Sequence, residues 1–534
     1  MKKAICFLLA LCVAAAFSGC KKSADNSSSN SDGQTVSVSD ADSKTINLLY
    51  SYTDTFDPYT AKNDKNIRLA SLLYDPLIKT DNNFNAVNVL AQSVDTENNV
   101  CTVKLRDAVF TDGSAVTSAD VIYSYNLAKN NPAYSYNFYE VKSAEAVDSK
   151  TVRFTLLYLD GYFANLLTFP IIKTGTSGVK DADGKEIPPT GCGRYYISDD
   201  ATQFKLNENY YGKKGIIKTI NLINSPDADS TSHYVEVGAA NIYYNDDNNI
   251  VRMSAKKFDV NLNRFIYIGI NSSYGSLASR EMRYAISAAI DREAICRTAY
   301  YNNSTPAKGF FNPFFKATEA VQTIESRANS KITVENLSKI GYNNMNSNGF
   351  YANASGNNPV FTLLVNSENS SRVAAAKLIA DQCRTAGIQI NVVECSYEQY
   401  VSRLAANDFQ LYLGEVQILD NMDMSQLVIS GGSAAYGVGL EPAEPTEPTE
   451  PTDSGADGEN ASQAPAEKST CESIINSYRL GECGISDVAG TLITEMPQIP
   501  VCYRNGVLFY DSAITGGVTA SNSDIYFSIE DYKF

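Results

Sequence analysis

Apolar and polar residues alternate strictly in two stretches in the first third of the chain. The stretch 100–106 has its apolar side chains at Cys101, Val103 and Leu105, and the stretch 151–158 repeats the pattern. A period of two places alternate side chains on one face of a strand. Both stretches are therefore predicted to be half-buried β-strands.

The residues between these strands predict a turn followed by a helix. An Asp-Gly pair at 112–113 is typical of a tight turn. Thr117 and Asp120 have the spacing of a capping box at a helix N-terminus. Apolar residues then recur with helical spacing from Val121 to Ala128.

The second half of the chain alternates strand-like and helix-like patterns. The predicted strands are 361–365, 388–394 and 409–413, and the predicted helices begin at Ser371 and Ser396. Strands separated by helices favour a parallel α/β sheet with right-handed crossovers. Ligands of such sheets lie beyond the carboxyl ends of the strands, so the residues after Leu413 are candidates for a binding site.

Between the two halves, one long helix is predicted for 279–300. Its charged residues Asp291, Arg292 and Glu293 are interpreted as a solvated helix face with local ion pairs.

The amino terminus predicts export. Two lysines, a short apolar run and small residues before Cys20 are typical of a secretory signal peptide, here 1–19. The string before Cys20 resembles a bacterial lipobox, which implies lipidation of that cysteine. The alternative is an ordinary signal peptide with an incidental cysteine. The polar residues that follow, in 20–44, are predicted to be a flexible tether.

Composition limits the classes of partner that the protein is expected to bind. The 534 residues carry a net charge of −16, which disfavours nucleic acid and direct adsorption to anionic lipid. The segment 441–468 is rich in Pro, Thr and acidic residues and is predicted to be a disordered surface loop. It is either a tolerated insertion at a loop tip or a docking or spacer segment.

The cysteines of the mature body do not form a metal or redox motif. Eight of the eleven cysteines remain after Cys20, and no C-x-x-C pair is present. Cys101 and Cys383 fall on apolar positions and are predicted to be buried free thiols. Cys471 and Cys483 are the candidates for a disulfide, since a short polar stretch separates them.

Catalytic groups are scarce. His233 is the only histidine, which excludes a multi-histidine metal site, and its polar surroundings predict a surface position. Neither a G-x-S-x-G motif nor a Walker A loop is present. The chain is therefore predicted not to be an enzyme, and no cofactor is expected.

Two strings resemble a known family. The first runs from Leu105 to Ser124 and resembles LR-x-x-x-x-F-x-DG-x-x-x-T-x-x-DV-x-x-S, with one residue fewer after Arg106. The second, 283–293, resembles R-x-A-x-x-x-A-I-D-R-E. Both are similar to signatures of family 5 extracellular solute-binding proteins, the dipeptide, oligopeptide and nickel receptors of ABC importers.

The resemblance implies an α/β fold of the two-lobed periplasmic-binding-protein type (type II, large peptide-binding form), with an accessory subdomain and a hinge. Its parts would be lobe I in 45–68, 190–265 and 497–534, the accessory subdomain in 69–189, and lobe II in 266–496 with the insert 441–468.

The same resemblance implies a lipid-anchored, extracytoplasmic solute receptor. It would act as a monomer, bind a small solute such as a short peptide between the lobes and deliver it to ABC permease subunits in the membrane. The alternative is a surface sensory or adhesive lipoprotein, or a lipid-anchored hydrolase, on the same scaffold.

Site residues are predicted from the segment after Leu413. Peptide-binding relatives hold the amino terminus of the ligand with an Asp in a W-x-x-D-x-x-D-P type segment, and Asp420 and Asp423 keep its D-x-x-D spacing. Met424 replaces the Pro, and Glu415 adds a further carboxylate at the strand end. An unpaired carboxylate in a closed cleft would select a cationic ligand. Alternatively, both aspartates cap the next helix.

Four further residues complete the predicted ligand site or its rim. Gly414 lies at the predicted strand end, and Gly431-Gly432 and Tyr436 follow on a candidate cleft loop. Because the chain has no Trp and 34 Tyr, aromatic contacts with a ligand must come from Tyr or Phe.

Overall fold

The computed structural model describes residues 44–246, 255–440 and 469–534. The predicted signal peptide, Cys20, the tether up to residue 43 and the insert 441–468 lie outside the described residues. Across the insert, Gly439 and Ser469 adjoin, since a β-carbon on Gly439 would lie 3.8 Å from Cβ of Ser469. Within the described ranges, no helix is both long enough and apolar enough to cross a membrane.

The strands of the described residues are numbered here in chain order. They are β1 Lys44–Tyr50, β2 Ile78–Thr80, β3 Ala86–Asn88, β4 Ala91–Glu97, β5 Val100–Leu105, β6 Val141–Asp148, β7 Thr151–Leu156, β8 Tyr195–Ile197, β9 Gln203–Leu206, β10 Ile217–Asn224, β11 Ile242–Asn245, β12 Lys256–Ile270, β13 Ser304–Pro306, β14 Asn344–Met345, β15 Tyr351–Ala352, β16 Val360–Asn366, β17 Gln389–Cys395, β18 Leu411–Gln417 and β19 Gln498–Tyr510.

The α-helices of the same residues are numbered likewise. They are α1 Asp64–Leu73, α2 Ser118–Ala128, α3 Ala228–Glu236, α4 Arg280–Ala289, α5 Arg292–Ala299, α6 Ser330–Lys339, α7 Ser370–Thr385, α8 Tyr397–Ala405, α9 Ser425–Val428, α10 Thr470–Arg479 and α11 Ile485–Glu495.

Three larger sheets organise these elements. One has the order β1-β10-β9-β8, and another, β4-β5-β7-β6, is antiparallel throughout. The largest has the order β11-β19-β12-β18-β16-β17, with β13 added beside β19. The helices α4, α5 and α7 pack on this sheet or on one another.

Two large hydrophobic cores form around these sheets. The first core contains Phe265 to Ile270 of β12 and Ile499 to Tyr503 of β19. The second contains Val260 and Leu262 of β12 and Leu508 of β19, together with the strands of both smaller sheets. The structure is therefore two-lobed, and the antiparallel pair β12 and β19 runs from one core into the other.

The local predictions in the first half are confirmed. β5 and β7 bury alternate residues, as the period of two predicted. α2 begins after Thr117, and the carboxylate of Asp120 accepts hydrogen bonds from the backbone N–H of Thr117 at 3.0 Å and from its hydroxyl at 2.7 Å. A capping arrangement of this kind satisfies groups that an α-helix leaves unpaired at its start.

The prediction of a parallel sheet is confirmed only in part. β16 pairs in parallel with β17 and with β18, as predicted. However, β18 also pairs antiparallel with β12, and this partner extends the strand to Gln417. Gly414 and Glu415 therefore lie inside the strand and not beyond its end.

The prediction of one long helix at 279–300 is wrong. Ile290 adopts an extended backbone, and Asp291 caps a second helix by accepting the N–H of Ala294 at 2.8 Å. Arg292 is not solvated but 1% exposed. It donates to the carbonyls of Pro500 and Ser287, and burial lowers its pKa to about 10.

The cysteines of the described body are free thiols. Cys101 and Cys383 are buried, as predicted. Cys471 and Cys483 are also free, which contradicts their predicted disulfide. The Cys483 thiol instead contacts the carbonyl of Ile474 at 3.8 Å.

A buried ion-pair network ties distant segments of the second core together. Asp524, with no exposed side-chain surface, accepts from Arg194 at 2.7 Å and from Lys79 at 2.8 Å. Its other oxygen accepts from the hydroxyl of Ser71 at 2.8 Å. Burial alone would raise the pKa of Asp524, but the two cations lower it to about 2.

Replacing Asp524 by Asn is expected to destabilise the protein by about 3–5 kcal/mol, because two buried cations lose their shared anion. The wild-type contribution is present above the ordinary pKa of about 4 and is lost as the pH falls through about 2. Urea unfolding between pH 7 and pH 2 measures both effects. The control Asp531→Asn removes an exposed pair with Lys213 and should change stability by at most about 1 kcal/mol. Equal losses in the two variants would contradict the prediction.

Candidate functional site

A large cavity lies between the two cores. Its volume is about 800 Å³, within the range of about 300–1,000 Å³ typical of small-ligand sites. One side, which we call the tyrosine wall, comprises 133–158 and contributes Tyr136, Tyr139 and Tyr158. The other side, the strand-end wall, comprises 416–433 together with Arg479.

A smaller cavity of about 350 Å³ adjoins the first, because Ala133, Asn137, Gln417 and Leu419 line both. Asp420 lines the smaller cavity, and Asp423 lines the larger one. The two cavities form one continuous cleft, with a predicted aspartate in each part.

Asp423 is fully engaged with the protein. Its Oδ1 accepts the backbone N–H of Ser425, the first residue of α9, at 2.9 Å, although the N-cap position of this helix is Met424. Its Oδ2 accepts hydrogen bonds from the hydroxyls of Ser425 and Tyr139 and from Nη2 of Arg479 at 3.3 Å. Asp423 is thus paired with a cation of its own chain.

Asp420 is less engaged. Its Oδ2 accepts the hydroxyl of Thr80 at 2.7 Å, and its backbone carbonyl accepts Nδ2 of Asn165 at 2.9 Å. The Oδ1 atom has no hydrogen-bond partner among the described residues and is not enclosed. Burial raises the pKa of this carboxyl to about 6, with the Thr80 hydrogen bond opposing the rise. Asp420 does not cap α9.

Two buried acids lie behind the tyrosine wall. Asp160 accepts Nδ2 of Asn421 at 2.8 Å and the N–H of Tyr162 at 2.8 Å, so it joins the two walls. Glu140 is fully buried beside it. Burial, and then the charge of Asp160, raises the pKa of Glu140 far above its usual range. Burial also raises the pKa of Asp160. The pair therefore retains a proton near neutral pH.

Three predicted site residues lie away from the cavities. Glu415 forms ion pairs with Arg372 at 2.8 Å and with Arg504 at 3.8 Å. Gly414 lies under two tyrosine rings that leave no room for a β-carbon. Tyr436 packs edge-on against the ring of Tyr412. None of the three is among the residues that line either cavity, and their roles in ligand binding stay predictions.

The structure also adds residues that the sequence analysis missed. Arg479 and the three tyrosines line the larger cavity. Gly431 and Gly432, which the sequence analysis placed on a candidate cleft loop, also line it. The run Y-S-Y-N-F-Y at 134–139 was a usable signal, since exposed tyrosines close together are typical of ligand contacts. Arg479 follows the insert with no local pattern, so only the folded chain brings it to Asp423.

His233, the single histidine of the sequence, is not among the residues that line either cavity. His233 is exposed on α3, as predicted. Among the described residues, no group of three or more His, Cys, Asp or Glu side chains is placed to hold a metal ion.

The two lobes enclose a cleft of the size that small solutes occupy. The family model for bacterial extracellular solute-binding proteins, family 5 Middle, matches residues 85–437. The chain belongs to this family, which confirms the resemblance. The matched proteins are binding proteins and the family consists of transport receptors, so the chain is not an enzyme and the hydrolase alternative is wrong.

Individual relatives agree with this assignment. The chain is 30% identical over 277 residues to the glutathione-binding protein of Pectobacterium atrosepticum, covering 47% of this chain and 53% of that one. It is 25% identical over 372 residues to the oligopeptide-binding protein AppA of Bacillus subtilis, covering 64% and 67%. The matched region thus spans only about half the length of the first relative.

A solved structure confirms the fold. The crystal structure of an ABC transporter substrate-binding protein from Sinorhizobium meliloti matches with a TM-score of 0.69 at 17% identity. The match covers 92% of this chain and 100% of that one.

Replacing Glu140 by Gln is expected to make stability less dependent on pH. The folded protein keeps a proton that the unfolded chain releases above about pH 4.5, so wild-type stability falls as the pH rises. The variant lacks this loss. The difference in stability between variant and wild type should therefore shift in favour of the variant by on the order of 1–3 kcal/mol from pH 5 to pH 8. Urea unfolding at several pH values measures the difference. The control Glu145→Gln changes an exposed acid and should leave the pH dependence of the unfolding free energy as it is in wild type. Parallel curves for Glu140→Gln and wild type would contradict the prediction.

Proposed function

We propose that this chain is the lipid-anchored, extracytoplasmic receptor of an ABC importer. It binds a small solute of the short-peptide class in the cleft and delivers it to permease subunits in the membrane. The observation that carries the proposal is a solute-sized cleft between two cores whose walls supply hydrogen-bonding and aromatic groups. The names of the oligopeptide- and glutathione-binding relatives support the ligand class.

Binding would favour closure of the two lobes. The walls already meet through the bond from Asn421 to Asp160 at 2.8 Å and from the N–H of Leu159 to the carbonyl of Arg479 at 3.1 Å. A ligand that touches both walls gains contacts only in the closed state, so it shifts the equilibrium by its differential affinity. The permease would then recognise the closed form.

The proposed lobes keep the boundaries expected from the family. Lobe I comprises 45–68, 190–265 and 497–534, the accessory subdomain 69–189, and lobe II 266–496. The hinge would lie where β12 and β19 pass between the cores, near the break in their register between Asn261 and Arg264.

Within the cleft, we assign different roles to the two aspartates. Oδ1 of Asp420 is available to the smaller cavity and would bind the amino group of a peptide. Asp423 has donors on both oxygens and would hold the strand-end wall and Arg479 in place. Glutathione is a second ligand to test, because a 30% identical relative is named for it.

Replacing Asp420 by Asn is expected to weaken binding of a short peptide by on the order of 2–5 kcal/mol, since the buried ammonium group loses its anion. In the wild type, affinity should fall as the pH decreases through about 6, because protonation removes the charge of Asp420. Calorimetry with tri-alanine and its N-acetyl form, from pH 7.5 to pH 5, measures both effects. The variant and the acetylated ligand should each abolish the pH dependence. Asp408→Asn, an exposed control, should bind as wild type does.

Unchanged affinity in Asp420→Asn would contradict this site assignment. Failure of wild type to bind any short peptide or glutathione would contradict the proposed ligand class.

Replacing Cys20 by Ser is expected to release the protein from the membrane, because the lipid attachment site is lost. Cell fractionation and labelling with a fatty-acid analogue measure this directly, with Cys12→Ser as the matched control. Peptide uptake should fall in the Cys20→Ser strain if the anchored receptor serves a permease. Membrane attachment that survives the substitution would contradict lipidation at Cys20. Normal uptake after deletion of the whole chain would favour a sensory or adhesive role.

A further inference from the structure

Arg479 gives the larger cavity an unexpected electrostatic character. It is the one cationic side chain among the described residues that line this cavity, and Asp423 is the one anionic side chain. The two form an ion pair at 3.3 Å, with 18% and 17% of their side-chain surfaces exposed. The cavity therefore does not present a bare carboxylate to its ligand.

The guanidinium group of Arg479 is held from two directions. Its Cζ lies 4.2 Å from the ring centroid of Tyr158, in a cation–π contact. Its Nη2 donates to the hydroxyl of Tyr158 at 3.2 Å and to Oδ2 of Asp423 at 3.3 Å. Because both walls fix the group, little conformational entropy remains to be lost when it binds a ligand.

The remaining donors of Arg479 are available. Neither Nε nor Nη1 donates a hydrogen bond to any described residue. Neither atom is among the buried polar atoms that lack a partner, so both remain accessible. An arginine donor bonded to an anion forms a stronger hydrogen bond than one bonded to a neutral acceptor.

The carboxylate of Asp423, by contrast, is occupied. Its Oδ2 accepts from Tyr139, Ser425 and Arg479, and its Oδ1 accepts the N–H of Ser425. The two acids behind the tyrosine wall retain a proton between them, since burial raises the pKa of both Glu140 and Asp160, and this removes part of their negative charge. An anionic group of a ligand would therefore meet an attractive donor and reduced repulsion.

We propose that Arg479 binds a carboxylate of the ligand, so that the ligand places its anionic end in the larger cavity. The assignment deepens the proposed function and depends on it. With the amino group at Asp420 in the smaller cavity, the cleft would be selective for zwitterionic ligands and would fix their direction.

A different role for Arg479 makes the opposite prediction. As an internal counter-ion of Asp423, it would have to move aside before a cationic ligand could bind. Removing it would then strengthen binding of cations, whereas removing a carboxylate-binding residue weakens binding of carboxylates.

The test uses tri-alanine and tri-alanine C-terminal amide as probes, with calorimetry at pH 7.5. Wild type should bind the free acid about tenfold to a hundredfold more tightly than the amide. Arg479→Gln should bind both forms with the affinity that wild type has for the amide. Arg479→Lys, which keeps the charge, should recover part of the difference. The control Arg153→Gln removes an equal charge from an exposed side chain on strand β7 and should bind as wild type does.

The outcomes separate this inference from the proposed function. Equal affinity of wild type for acid and amide would overturn the role of Arg479 and leave the peptide receptor standing. Tighter binding of the amide by Arg479→Gln than by wild type would overturn it in favour of the counter-ion role. If wild type binds neither probe nor any other short peptide, the proposed function fails and the inference falls with it. If Arg479→Gln does not fold, the affinities of wild type for the free acid and for the amide still test whether Arg479 binds the ligand carboxylate.

Discussion

The antiparallel pairing of β12 with β19 is the constraint on which the rest of the structure depends. These are the two longest strands of the described chain, and both cores rest on them. Val260 and Leu262 point into one core, while Phe265 and the residues after it belong to the other. A register break between Asn261 and Arg264 separates the two groups. Because both cores share the two strands, this irregular segment is where the proposed hinge would lie.

Local elements could be predicted from the sequence because their causes are local. Thr117 and Asp120 are three residues apart, and Gly387 adopts the left-handed conformation, with φ of 84°, that ends α7. Long-range contacts explain what sequence reasoning missed. Arg292 looks solvated in a charged string, yet its burial depends on the carbonyl of Pro500. The family resemblance drew attention to the two aspartates, but Arg479 and its partner Asp423 are 56 residues apart.

Charge in the cleft is handled by pairing and by protonation. Asp423 forms an ion pair with an arginine, and Asp524 forms ion pairs with two cations. Glu140 and Asp160 retain a proton between them. Each arrangement avoids an uncompensated carboxylate in a region of low dielectric constant. Asp420 is the exception, with one oxygen unbonded to the described residues and a raised pKa. An exception at the edge of a cavity is what a binding site requires, since a fully satisfied group has no affinity left for a solute.

The meeting of Gly439 and Ser469 has a practical consequence. Gly439 and Ser469, on the two sides of the insert, lie next to each other, and the hydroxyl of Ser272 donates to the carbonyl of Leu440 at 2.7 Å. Closing a longer loop between fixed ends costs only about 0.6 kcal/mol for each doubling of its length. A fluorescent module could therefore be spliced in at this junction, a few residues ahead of the helix that carries Arg479, to report on occupancy in living cells.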